Sequence, residues 1–223
     1  MRKLIVSTFI TMDGVLQAPG GPQEDPANNF KWGGWTFPHQ DEVTMKAIST
    51  ILLNEPYDLL LGRRTYEIFA AYWPYNQDNP IGEAFTKINK YVVATTPVNL
   101  SWENSILIKD NVVEEIKKLK AQQGPNLVVQ GSGKLIQTLL EHQLIDELHT
   151  WIFPITIGTG KKLFAEGTQP AQWKLTNATI STKGVIIASY IPNGEIPLGS
   201  FVSDDISEAE VARRKKLASE QSA

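Results

Sequence analysis

Gly131, Ser132, Gly133 and Lys134 lie between an apolar run, residues 127–130, and a pattern in which Leu135, Ile136, Leu139 and Leu140 share one helical face. A glycine turn from strand into helix presents free backbone N–H groups and the positive end of a helix dipole, which suits an anion. A tight turn with no ligand fits the same residues. "DLLLGRRTYEIF" repeats the arrangement, with Gly62, Arg63, Arg64 and Thr65 at the junction. Two guanidiniums and a hydroxyl at a helix start suit a phosphate monoester. They also fit a solvated pair with Thr65 as an N-cap. A third strand end, "YVVATTP", puts Thr95 and Thr96 where a doubly wound sheet binds ligands, although threonines before proline are also common turn formers.

What these junctions lack narrows the chemistry. The first has neither the spacing nor the Lys-Ser/Thr of a P-loop, and "GSGKLI" lacks the third glycine of the Rossmann fingerprint. Gln130 and Lys134 occupy the outer positions of a nucleophile elbow, so Ser132 is a poor candidate for a serine hydrolase. His39, His142 and His149 have no metal-ligand spacing, and no metal is expected. Trp32, Trp35 and Phe37 in "KWGGWTFPHQDE" could wall in a flat heterocycle, or form a small core of the loop itself.

Elements that could position these residues follow from periodicity. Strand-like runs cover residues 3–11, 57–61, 91–95, 105–109, 127–130 and 147–157, with a closing pair at 173–181 and 185–191 joined by "TKG". Helical patterns fall between them, at 41–53, 65–72, 81–88 and in "NVVEEIKKLKAQQG", where Val112, Ile116 and Leu119 share a face and Gly124 ends the run. Strands alternating with helices, then a run of strands, predict an α/β domain with a mostly parallel sheet covered on both faces and an antiparallel C-terminal edge hairpin. The loop over 17–38 is long for a compact domain, which marks it as functional or mobile. After Pro192 a linker leads to a charged helix opened by a Ser207–Glu210 capping box, giving a division into 1–192 and 193–223.

Composition sets the class. The 223 residues carry a net charge of -3 and contain no cysteine. These values argue against a general nucleic-acid binder, rule out thiol chemistry and fit a cytoplasmic protein. The opening "MRKLIVSTFITMDG" is too short and too polar for a membrane span and reads as a first strand.

The order of the three junctions, with "STFITMDGVL" before them and "DELHTWIFPITIGTGKKLF" after, resembles the dihydrofolate reductase-like superfamily. The nearest likeness is to the reductase domain of the bifunctional riboflavin-biosynthesis deaminase-reductases. That resemblance implies an NADPH site. Gly62 would open the helix on which Arg63 and Thr65 hold the 2′-phosphate, with Arg64 nearby. Thr95 and Thr96 would flank the adenosine, and Gly131, Ser132, Gly133, Lys134 and Leu135 would line the pyrophosphate. Asp13 and Gly14 match the mobile loop beside the nicotinamide. Asp41 matches the acid that helps protonate a pterin, though an acid in a first helical turn also serves the helix dipole. Family members carry Gly-Gly, in some a cis pair, where this chain has Gly131–Ser132, which leaves that peptide's isomer open.

The expectation is an NADPH-dependent reductase of a C=N or C=O bond in a small heterocyclic or sugar-linked molecule. One candidate substrate is 5-amino-6-(5-phosphoribosylamino)uracil. The alternative is a nucleotide-binding regulatory module without turnover. A homodimer is expected from the resemblance, and from the long apolar strand at 147–157, which would need cover if it lay at a sheet edge.

Overall fold

Leu59 and Leu61 pack to one side of their strand and Leu60 to the other, and all three are fully buried. A strand of that kind needs cover on both faces, which crossover helices on a parallel sheet provide. The computed structural model describes residues 1–201 and 205–220 and shows this arrangement. Its strands are β1 (Leu4–Thr11), β2 (Tyr57–Gly62), β3 (Lys90–Val93), β4 (Ser105–Ile108), β5 (Asn126–Val129), β6 (Glu147–Phe153), β7 (Trp173–Ile180) and β8 (Ile186–Pro192). The α-helices are α1 (Glu42–Leu53), α2 (Arg63–Ala70), α3 (Pro80–Lys87), α4 (Val112–Ala121), α5 (Gly133–Glu141) and α6 (Glu208–Glu220).

The strand order is β4-β3-β2-β5-β1-β6-β8-β7, parallel from β4 to β6 and antiparallel at β6–β8 and β8–β7. On one face Leu52 of α1, Tyr66 of α2 and Phe85 of α3 pack on Leu59 and Leu61. On the other, Ile116 and Leu119 of α4 and Leu135, Ile136 and Leu139 of α5 pack on Leu4, Leu60 and Leu127. The α/β sheet with its closing hairpin is therefore as the sequence pattern implied.

One expectation is corrected. The strand expected over 147–157 stops at Phe153 and lies inside the sheet, between β1 and β8. It offers no edge for a partner, because a parallel neighbour pairs with it on one side and an antiparallel one on the other. The outer strands are β4 and β7, and β7 is exposed along nearly its whole length. Near the C-terminus, Glu210 N–H donates to Ser207 Oγ at 3.3 Å, but the Glu210 carboxylate pairs with Arg213 and Arg214 instead of closing the capping box. Parts of the expected tail, 202–204 and 221–223, lie outside the described residues. Among the described residues no helix is long and apolar enough to cross a membrane.

The amino ends of the central strands are tied by a buried ion pair. Arg2, just before β1, pairs with Asp58 of β2, donates to Pro125 O ahead of β5 and sits 5.5 Å from the Tyr91 ring of β3. Asp58 Oδ1 also accepts from Asn89 N–H and Asn89 Nδ2, both at 3.1 Å. Removing one partner strands the other charge, whereas replacing both with apolar groups can be nearly neutral. Asp58→Ala should lower unfolding free energy by about 3–5 kcal/mol, and Arg2→Met/Asp58→Leu by much less. Denaturant titration of the two variants measures the difference.

Candidate functional site

β2 and β5 are paired, so the turns that leave their carboxyl ends are neighbours. Gly62 N–H donates to Gly131 O at 3.1 Å. A Cβ on Gly62 would overlap Ser132 Oγ and stand 3.0 Å from both Ser132 Cβ and Ser132 N. A Cβ on Gly131, whose φ is +145°, would meet Thr65 Oγ1 at 2.6 Å. Glycine is thus required at 62 by close approach and at 131 by both approach and backbone conformation. The Gly131–Ser132 peptide is cis.

This contact sets two helix starts side by side. The N-cap of α2 is Gly62 and that of α5 is Ser132, and neither supplies a side-chain capping bond. The first-turn N–H groups of both helices therefore have no capping side chain to accept from them, and two positive dipole ends converge. Beside them opens a cleft of about 300 Å³. Phe9 of β1, Ile48 and Ile51 of α1, Phe69 of α2, Trp73 and Trp151 give it apolar walls. Its polar lining is Thr65 and the 130–133 turn at the helix starts, and Ser7, Thr8, Gln17, Glu24, Asp25, Arg64 and Lys161 elsewhere.

The loop that supplies Gln17 to Asp25 is held by its own polar bonds. Buried Gln17 donates to Asp25 O and Ala27 O at 2.9 and 3.0 Å, and its Oε1 accepts from Lys161 N–H at 3.1 Å. Asp25 is buried and pairs with Lys161, with Arg64 3.8 Å away. Glu24 Oε2 accepts from Gly20 and Gly21 N–H. Burial of the Glu24 carboxyl raises its pKa above the ordinary glutamate value, against the lowering effect of those two N–H bonds.

Of the residues singled out in sequence, Arg64, Thr65, Gly131, Ser132 and Gly133 line the cleft, and Gly62 sits directly behind them. Leu135 is buried in the core below the α5 start, and Lys134 is exposed. Arg63 is half-exposed on the first turn of α2 and pairs with Glu67 at 2.8 Å. Thr95 and Thr96 are exposed in the turn after β3 and do not reach the cleft.

Asp13 and Gly14 do not line it either. Asp13 clamps two loops together: its Oδ1 accepts from Ile157 N–H at 3.1 Å and its Oδ2 from Gly158 N–H at 2.7 Å. The Thr11 hydroxyl and these backbone bonds hold its carboxyl down at about 2, against the opposing effect of burial. The loop residues that do face the cleft are the next ones, from Leu16 to Gly20.

Two substrate-side expectations are corrected. Trp32 and Phe37 are exposed, and Trp35 is buried against Phe153, donating its indole N–H to Gln17 O at 2.8 Å. None of the three lines the cleft. Trp35 belongs to the loop's own core. Asp41 is likewise structural where it stands. It caps α1, with Oδ1 accepting from Thr44 N–H at 2.9 Å and Oδ2 from Thr182 Oγ1 and Lys183 N–H at 2.8 and 3.1 Å. Those bonds hold its carboxyl far below the usual range, and it lies outside the cleft lining.

Sequence reasoning missed Phe69, Trp73, Glu24, Asp25 and Lys161. The acid pair Glu24–Asp25 before Pro26, inside a loop too long to be a simple connector, was the available signal.

A parallel-centred sheet closed by an antiparallel hairpin, with a cleft beyond the carboxyl ends of its central strands, defines a protein of the dihydrofolate reductase-like fold. The chain belongs to the RibD C-terminal domain family, whose profile matches residues 2–187. It is 28% identical over 201 residues to the uncharacterised protein YyaP of Bacillus subtilis, spanning 86% of this chain and 96% of that one. Among solved structures, a pyrimidine reductase-like protein of Corynebacterium diphtheriae superposes with a TM-score of 0.60 at 13% identity, covering 87% of this chain and 93% of that one. Enterococcus faecalis dihydrofolate reductase, complexed with NADP(H) and RAB-propyl, gives 0.55 at 16% identity, covering 86% and 97%.

The close approach makes its own prediction. Gly62→Ala should destabilise the fold by about 1–3 kcal/mol through overpacking, and Gly62→Ala/Ser132→Gly should recover part of that. Denaturant midpoints of the two variants decide it; equal losses would mean Ser132 is not the obstacle.

Proposed function

We propose that this chain is an NADPH-dependent reductase, delivering hydride to a C=N or C=O bond of a small molecule. The observation that carries this reading is the pair of uncapped helix starts, joined by glycines with no room for a side chain, at one end of a cleft with apolar walls. A dinucleotide matches that polarity, with phosphate oxygens that accept N–H bonds and a flat ring that needs an apolar wall. In this reading Gly131 to Leu135 run along the pyrophosphate, Arg63 and Thr65 hold the 2′-phosphate, and Thr95 and Thr96 flank the adenosine. Family membership, and the NADP(H) complex of a reductase sharing the fold, support it.

When bound, the nicotinamide supplies the hydride. The chain's own part is alignment and exclusion of water: Phe9, Phe69 and Trp151 give flat surfaces, and the braced 17–25 loop covers one side of the cleft. We also propose a homodimer, formed through β7. This eight-residue outer strand is unpaired on one side, with Leu175 and Ile180 exposed at 52% and 72%.

Arg63→Ala should weaken NADPH binding about tenfold and leave NADH nearly untouched, since a solvent-exposed charged contact, here shared with Glu67, contributes about 1–1.5 kcal/mol. Titrating both cofactors into both proteins tests it; equal losses would assign Arg63 to the fold alone. For assembly, light scattering should show a dimer, and Leu175→Lys/Ile180→Lys a monomer. A wild-type monomer mass at every concentration would remove the dimer.

A further inference from the structure

β7 is open to solvent on both faces, yet its side chains are sorted between them. Pairing with β8 sets Lys174, Asn177 and Thr179 opposite Ile191, Ser189 and Ile187, on the side of the sheet where Val185 and Ile187 pack with Trp151. Leu175, Ala178 and Ile180 are paired with Tyr190, Ala188 and Ile186, on the side that carries α5. Water on both faces gives a strand no reason to sort its residues, so the sorting marks the apolar side as one that is covered. Within the chain the cover stops early. Leu148, Trp173 and Tyr190 pack on the core beneath α5, whereas Leu175, Ala178, Ile180 and Ile186 are exposed.

A second bare apolar surface follows in the chain. Beyond the end of β8 at Pro192, Ile196, Leu198 and Phe201 are all exposed, and α6 buries none of its residues. The start of this tail is fixed: Pro192 pairs with Trp173, and Asn193 N–H donates to Gln172 O at 2.9 Å. The tail therefore leaves the hairpin at the Trp173 end of β7, and Ile180 and Ile186 stand at the other end.

A β7 homodimer would bring the two surfaces together. Isologous pairing of β7 with its copy, about an axis normal to the sheet, is antiparallel and leaves both apolar faces on one side. The Trp173 end of one strand then lies beside the Ile180 end of the other. Strands are spaced about 4.8 Å apart, so Ile186 of the partner subunit stands three spacings, ~15 Å, from the start of the tail. Leu198, six residues after Pro192, reaches up to ~20 Å from it, and Phe201 up to ~30 Å. The tail's own Ile186 lies six residues back along β8, about 20 Å away, where Leu198 arrives only on a fully straight chain. None of the four exposed face residues is charged, so the face repels neither a copy of itself nor the tail.

We infer that the tail is exchanged between subunits: Ile196, Leu198 and Phe201 of each copy cover the Ile180–Ile186 end of the hairpin on the other. The occupant of the bare face is thus a second copy of this chain. The exchange rests on the β7 homodimer and adds to it the face that is buried and the segment that buries it.

Because the chain has no cysteine, disulfide trapping reads this contact alone. Oxidised Ile180→Cys/Leu198→Cys should run as a covalent dimer on a non-reducing denaturing gel. Neither single variant should, because the two copies of either residue lie at opposite ends of the paired strands. A disulfide closed within one chain, or no more covalent dimer than the single variants give, overturns the exchange; a dimeric mass in light scattering then leaves the β7 interface standing. A monomeric mass at every concentration overturns both. In the full chain, Leu198→Ser/Phe201→Ser should raise the dimer dissociation constant in equilibrium sedimentation about tenfold or more, a loss of ~1.4 kcal/mol. An unchanged constant overturns the exchange.

Discussion

Two chain turns approach until there is room for nothing between them, and the candidate site is a consequence of that closeness. Gly62 and Gly131 touch across the β2–β5 pairing, with Ser132 and Thr65 filling the space that side chains on the glycines would need. Because the turns touch, α2 and α5 begin side by side although they lie on opposite faces of the sheet. Two partial positive charges at one point invite an anion more strongly than either alone. The same packing leaves no room for a capping side chain at Gly62, and Ser132 Oγ, turned toward Gly62, makes no capping bond.

The second condition for a cleft is that the long loop beside it stays ordered without regular structure. Gln17 is the hub. It is buried, and its side-chain amide and backbone carbonyl serve Asp25, Ala27, Lys161 and Trp35. Each buried polar group of such a loop needs a partner, and here the partners are other members of the loop and the turn at Lys161. Trp35 is drawn into that framework, which is why the most promising aromatic stretch in the sequence builds the loop's support and leaves the cleft wall to Phe9, Phe69 and Trp151.

Features encoded within a few consecutive residues were legible from the sequence. Alternation at Leu59, Leu60 and Leu61, the helical faces of α4 and α5, and both glycine junctions follow from spacing alone. Features made by distant segments were not. The length and apolarity of β6 look alike whether it lies at an edge or inside, because the pairing with β1 and β8 is invisible in the strand itself. Asp41 carried two readings: the cap is a matter of three residues, whereas a catalytic role needed a cavity that only the fold could place elsewhere. Glu24 was overlooked because the cleft it lines is completed by residues from β1, α1 and α2 that nothing in "QEDPA" announces.

The position of β1 has a further implication. The first strand of the chain ends up in the middle of the sheet, with Leu4 beside Leu127 and Ile5 beside Glu147. During synthesis its two sides must wait, unpaired, until well over half the polypeptide has emerged, and the contacts that finally close are among the most distant in sequence. Long-range parallel pairing of this kind makes for slow folding and leaves an apolar strand open to wrong partners meanwhile. The site cannot assemble piecemeal: any fragment ending before β6 lacks one neighbour of the central strand, the Ile157–Gly158 backbone that Asp13 clamps, and Lys161 at the cleft.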